Sequence, residues 1–330
     1  MFVKLYTRFM RFALVLFLVF SAEIHAARMQ DARPLMGTVV EVIAEGPEEP
    51  ALRAAAEAAY REMQRLSDMM SHYDSRSVVS AINSAAGLRP VPVPPELAEV
   101  LAQARRMSER TSGAFDITVA ALHGWRFRPG EQRIPPPEEL SAQLSRVGFR
   151  KVVLREGENP SAFLSQPGMR IDLGGIAKIY ILEAGRRTLE ARGVRRALVN
   201  GGGDVLGHSD GAPWRVGVRD PQAPERLLGA VSLLRGVVAS SGDYERAFER
   251  DGRRYHHVLD PRTGYPAQGA RGVTLVAENP EAVNGLGPAI MVLGLQAGKK
   301  LVGATPGAEA LIVGANGELW MSPGLRLSNQ

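Results

Sequence analysis

The chain has 330 residues, of which 45% are hydrophobic and 23% charged. These proportions exclude a disordered or fibrous protein and leave two readings open, two lobes or one large α+β domain. The formal net charge of +5 comes from arginines spread along the chain rather than from a basic run, which argues against nucleic-acid binding, and the absence of cysteine removes disulfides, thiolate nucleophiles and zinc–thiolate sites.

The first 26 residues combine a basic start (Lys4, Arg8, Arg11), an apolar run from Phe12 to Phe20 and a small residue, Ala26. That is the form of a secretory signal peptide, and it predicts export to a bacterial periplasm. An uncleaved N-terminal membrane anchor is the alternative. No later apolar run is long enough to span a bilayer.

After the leader, "MGTVVEVIAEG" predicts a strand from its β-branched Val39, Val40, Val42 and Ile43. Helices follow at 50–70, at 94–113 (opened by Pro94 and Pro95, closed by Gly113) and from Pro135, with a surface loop over 128–138. From Val152 onward the pattern turns to short strands, among them 169–173, with helices near 177–192 and 280–296. Hairpin-like strands mixed with helices favour an α+β fold of mixed or antiparallel strands over a regular βαβ array.

Several segments carry more glycine and polar residues than their surroundings need. In "RIDLGGIAKIY" a Gly-Gly turn feeds a helix start, which presents unpaired backbone N–H groups to an anion, and Lys178 adds a cation. A plain tight turn with a solvated lysine is the rival reading. In "ALVNGGGDVLG" three glycines precede Asp204, which suits either a close ligand or a strand crossing. "SGAFDITVAALHGWRF" sets Phe115 and Trp125 near Asp116, as a floor for a flat heterocycle or simply as core. In "HHVLDPRTGYP" the adjacent His256 and His257 project to opposite faces of a strand and cannot easily share one metal ion.

Taken in order, "MGTVVEV", "SHYDSRSVVSAINSAAG", "GAFDITVAAL", "DLGGIAKIY", "ALVNGGGDV", "SGDYE" and "HHVLDPRTGYP" resemble the ApbE family of periplasmic FAD:protein FMN transferases over roughly residues 30 to 320. The resemblance implies a single α+β domain over 27–330 that encloses an FAD cleft. It also implies magnesium-assisted cleavage of FAD, with FMN joined through a phosphoester to a threonine or serine of a periplasmic or membrane-associated flavoprotein. By the same resemblance Met36, Tyr73, Ala114, Phe115, Asp116, Asp172, Lys178, His257 and Val258 contact the FAD. Lys178 and His257 are the catalytic candidates, and Gly175 offers a backbone carbonyl to the metal.

Two positions depart from the family pattern. Asn284 stands where a metal-binding aspartate is expected and Pro288 where a threonine is expected, in a run whose Gly285, Gly287 and Pro288 make a regular helix poor. Ile179 replaces the usual glycine after the lysine. These departures set an FAD-binding pseudoenzyme or flavin chaperone, and simple FAD hydrolysis, beside FMN transfer.

Overall fold

The computed structural model describes residues 27–328, so the expected leader lies outside the described residues. The chain opens with a hairpin of β1 (Ala27–Leu35) and β2 (Thr38–Gly46), whose turn residues Met36 and Gly37 have φ of +53° and +70°. Two left-handed residues give a turn whose twist matches that of paired strands. Sequence reading misses β1 because it is half exposed and carries Pro34, which a sheet tolerates at its edge.

The helix α1 (Glu49–Met70) buries Leu52, Ala56, Ala59, Met63 and Leu66 along one stripe, as its apolar spacing predicts. After it come α2 (Val78–Ser84), β3 (Val91–Pro92), α3 (Pro95–Arg110), α4 (Pro137–Leu144), β4 (Val152–Arg155) and β5 (Ser161–Leu164). The second half contributes α5 (Ala177–Ala191), β6 (Arg196–Gly201), β7 (Val205–Ser209), β8 (Trp214–Asp220), β9 (Ala223–Leu233), β10 (Arg235–Gly242), β11 (Ala247–Arg250) and β12 (Arg253–His256). The chain closes with β13 (Ala270–Ala277), α6 (Pro280–Val283), α7 (Leu286–Leu293), α8 (Leu295–Gly303), β14 (Ala308–Gly314) and β15 (Leu319–Met321). Among the described residues no helix is long and apolar enough to cross a membrane.

Eight strands form one sheet in the order β1-β2-β6-β7-β10-β13-β14-β15, every neighbouring pair antiparallel. Because successive side chains leave a strand on opposite faces, each strand feeds two cores. Val199, Leu206, Val237 and Ile312 join the larger core under α1, α5, α7 and α8, while their neighbours Leu198, Val205, Val238, Leu311 and Val313 join a smaller one capped by the β8–β9 hairpin.

Two expected elements differ. Residues 169–173 are not a strand, although Met169, Ile171 and Leu173 alternate inward and are each at most 1% exposed. The backbone of Ile171 is paired not by a strand but by the Asn83 side chain, which donates to its carbonyl at 3.0 Å and accepts from its N–H at 2.7 Å. The helix expected over 280–296 is broken in two places. Asn284 is extended (ψ 118°) and Gly285 left-handed (φ +82°), and Gly294 (φ +84°) separates α7 from α8. Pro288 therefore falls in the first turn of α7, where its missing N–H has no helical acceptor to lose.

Candidate active site

A cleft opens where the N-terminus of α5 meets the turns at the ends of β6, β10 and β12 and the start of α7. Gly174 and Gly175 lead into α5, and Lys178, its second residue, reaches across to Asp204 Oδ2 at 2.6 Å. Asp204 follows a turn made by Gly202 and Gly203 (φ +69° and +101°), a conformation that side chains other than glycine's rarely allow. Its other oxygen accepts the Ser240 N–H at 3.1 Å.

Asp172 lies just before the glycines. One oxygen accepts from Gly174 N–H at 2.8 Å and lies 3.0 Å from His72 Nδ1. Its side chain keeps 36% of its surface in a crowded recess. Burial would raise the carboxyl pKa, but the bonds from His72 and Gly174, with Arg246 nearby, outweigh it and hold the group below the usual carboxylate range. Tyr73, beside His72 with ring centroids 3.8 Å apart, is 81% exposed. Met36, at the tip of the first hairpin, packs partly against the main core.

His257 and Val258 line the opposite wall, and the adjacent histidines diverge as strand geometry requires. His256 is 2% exposed and bonds Ala267 O at 2.9 Å, away from the cleft. His257 is open to solvent at the mouth yet surrounded by protein atoms, and its Nδ1 bonds the Glu245 carbonyl at 3.1 Å. A carbonyl only accepts, so Nδ1 carries the proton and Nε2 keeps its lone pair. Crowding, then the Arg246 and Lys178 cations, push its pKa down to about 4, so the neutral form prevails near pH 7.

Phe115 is buried beneath the cleft floor, where its ring would touch any side chain placed at Gly175 or Gly285. Ala114 beside it is also buried. Asp116 faces inward: it caps the short helical turn Ile117–Ala121 through Thr118 N–H at 2.8 Å and accepts Phe149 N–H at 2.7 Å. Burial pushes its carboxyl up despite those bonds. Asp116 thus shapes the loop that carries Phe115, with its own oxygens occupied. Ile179 belongs mainly to the core and shows only its edge to the cleft.

The positions that the resemblance assigns to a metal do not form a cage. Asn284 is 3% exposed and donates Nδ2–H to Gln103 Oε1, its own Oδ1 accepting no hydrogen bond. Pro288 faces Gly175 with a ring and no oxygen. Among the described residues no three His, Cys, Asp or Glu side chains come together as a metal site. One carbonyl and one neutral amide fall short of the six or so hard oxygens that magnesium prefers.

A larger concavity of about 450 Å³ lies beyond the Asp260 turn, lined by Arg253, Arg262 and Tyr265. Asp260 there is tied to Arg262 at 2.7 Å, and neither histidine nor lysine is among its lining residues.

Residues 36–312 match the model of the ApbE family. The chain belongs to the ApbE family. It is 34% identical over 280 residues to the FAD:protein FMN transferase of Treponema pallidum, covering 79% of this chain and 77% of that protein. It is 37% identical over 215 residues to one from Klebsiella pneumoniae, covering 64% and 67%. The structure of an ApbE protein from Thermotoga maritima superposes with a TM-score of 0.80 at 35% identity, covering 90% of this chain and 97% of that one. The flavin transferase ApbE of Vibrio cholerae gives 0.77 at 26% identity, covering 90% and 98%. The antiparallel α+β architecture expected from the sequence is the ApbE fold. Within it, sequence reading overlooked His72, Ser240, Glu245 and Arg246 as participants, and took Asp204 for a glycine-turn residue rather than the partner of Lys178. Asp204 had a signal in the three glycines before it; Ser240 had none, because only strand pairing brings it to the cleft.

Proposed function

We propose that this protein is an enzyme that transfers FMN from FAD to a serine or threonine hydroxyl of an acceptor flavoprotein. The observation that carries the reading is the convergence of Lys178, the Gly174–Gly175 turn and neutral His257 on one cleft of an ApbE fold. The acceptor hydroxyl attacks the FMN-side phosphorus of the diphosphate, the bond to the AMP-side oxygen breaks, and the hydroxyl proton leaves with His257 Nε2. Products are the FMN phosphoester and AMP. Such transfer is mostly a matter of positioning and charge stabilisation. Lys178 and the α5 N-terminus meet the negative charge that grows on the phosphoryl oxygens.

The cleft encloses about 110 Å³, well below the roughly 300–1,000 Å³ of a typical ligand site. The diphosphate therefore fits inside, and the flavin and adenine rest on rim residues such as Tyr73, Met36 and Val258. Asp172 serves the same ligand from the α5 side. Positions 175, 284 and 288 would hold a magnesium ion poorly, with one backbone carbonyl and one neutral amide between them, and no step is routed through it. The alternative of a non-catalytic flavin carrier rests on those positions alone and is not favoured, because Lys178 and His257 are both in place. The basic and apolar start of the chain supports export, which would put the acceptor in the periplasm or at the membrane surface. The test is incubation of the purified protein with FAD, magnesium and a candidate acceptor, followed by mass spectrometry of the acceptor. An FMN-sized mass increase on a serine or threonine is expected; its absence with every periplasmic flavoprotein tried overturns the proposal.

A further inference from the structure

We infer that Asp204 is the positioning residue for Lys178 and sets the charge that the cleft presents to the diphosphate, a role that rests on the FMN-transfer reading above. The carboxylate is held at both oxygens. The pairing of β10 with β7 ends at Val238 opposite Val205, and beyond that point Asp204 Oδ1 takes the Ser240 N–H at 3.1 Å in place of a strand carbonyl. Its backbone is fixed as well, the Asp204 carbonyl accepting Gly201 N–H at 2.8 Å across the glycine turn. Oδ2 is left for the Lys178 ammonium at 2.6 Å. Asp204 is 7% exposed in its side chain, against 30% for Lys178, so the fixed partner is the buried one and the lysine is the one that meets ligand.

A lysine is a point charge on a flexible stem with three donors. Tethered to Asp204 it keeps two N–H donors free, aimed from a set place beside Gly174 and Gly175. The pair is also close to neutral, so the diphosphate meets a directed donor rather than a bare cation. Taking Lys178 away does two things: it removes the donor and it uncovers a carboxylate that repels the incoming anion. Taking Asp204's charge away leaves the cation, which attracts FAD but is no longer held. The two residues therefore have opposite signs toward binding and the same sign toward rate.

A residue that merely held the turn together would lower both quantities, and its effect would add to that of the lysine. The experiment measures FAD and riboflavin affinity by calorimetry, and the single-turnover rate of FMN transfer at saturating FAD, for the unaltered protein, Lys178→Ala, Asp204→Asn, Asp204→Glu and Lys178→Ala with Asp204→Asn. The amide of Asp204→Asn can still accept from Ser240, and Asp204→Glu keeps the charge while shifting it by one methylene, so a folding defect in one variant leaves the other informative. Asp204→Asn should change FAD affinity by less than about threefold and slow transfer by about tenfold or more, and Asp204→Glu should slow it as well. Lys178→Ala should weaken FAD binding by about tenfold or more, and adding Asp204→Asn should restore at least about fivefold of that loss. Riboflavin, which has no phosphate, should bind all variants alike. A double variant that binds FAD no better than Lys178→Ala, or an Asp204→Asn protein with full transfer rate, overturns the inference alone. If the unaltered protein binds no FAD, the FMN-transfer reading fails and this inference with it.

Discussion

Asn284 donates its side-chain N–H to Gln103 Oε1 at 3.3 Å, so the residue that occupies a metal-ligand position in the family pattern is tied to α3. With Pro288 beside Gly175, these positions would offer a magnesium ion little. Calorimetry of the FAD-free protein should therefore show no magnesium binding at millimolar concentration. Asn284→Asp with Pro288→Thr should raise both magnesium affinity and transfer rate, by about tenfold each if α7 keeps its register. Submillimolar magnesium binding by the unaltered protein would contradict this.

Lys178→Ala should weaken binding of FAD but leave riboflavin unaffected, since the ammonium meets only the diphosphate. A charge-assisted contact of this type is worth about 1.5–3 kcal/mol, or roughly ten- to a hundredfold in affinity. Equal losses for the two ligands would place the lysine elsewhere.

Asp172→Ala removes an acceptor held by His72 and Gly174 and should cost FAD about tenfold in affinity. Asp172→Asn keeps the bond from Gly174 N–H and should cost less. Identical affinities for the alanine variant and the unaltered protein would exclude Asp172 from the site.

His257 is neutral in the free protein down to acid pH, its pKa being pushed to about 4. The value of kcat/KM for FAD reports the free enzyme, so it should stay level from pH 8 to 6 and fall only in more acid solution, as protonation removes the Nε2 lone pair. His257→Gln should lower the rate by about a hundredfold or more and remove that acid limb. A limb that survives the substitution belongs to another group.

His208 and His256 bear on stability. Each bonds a backbone carbonyl through Nε2, at 2.7 Å to Val194 and 2.9 Å to Ala267, and each leaves Nδ1 buried without a partner. Burial lowers both pKa values below 6.5. The unfolded chain takes up protons near pH 6.5 that the folded chain refuses, so stability is complete above that pH and declines as pH falls through it. Denaturant titration should show stability falling as pH drops from 7.5 to 5.5. His256→Gln, which can donate to Ala267 without titrating, should make the decline shallower; an unchanged slope would assign it to other groups.

The sequence by itself determined the family, the α+β class, the long helices and several of the strands, because the 3.6 and 2.0 periods and the turn chemistry are local properties. It also placed the break near Asn284, since Gly285, Gly287 and Pro288 act on their own neighbourhood. Tertiary structure decided what local pattern cannot express. Met169, Ile171 and Leu173 alternate like a strand, yet Asn83, 88 positions away from Ile171, supplies the pairing. Asp116 and Asp172 are both carboxylates beside glycine or aromatic residues, and only the surrounding donors turn one inward as a cap and set the other between His72 and the Gly174 N–H. Lys178 and Asp204 are separated by a helix and a strand, and only the antiparallel packing of β6, β7 and β10 under α5 brings their charges within 2.6 Å. Charge pairs of that kind are fixed by chain segments meeting in space, and no window along the sequence contains both partners.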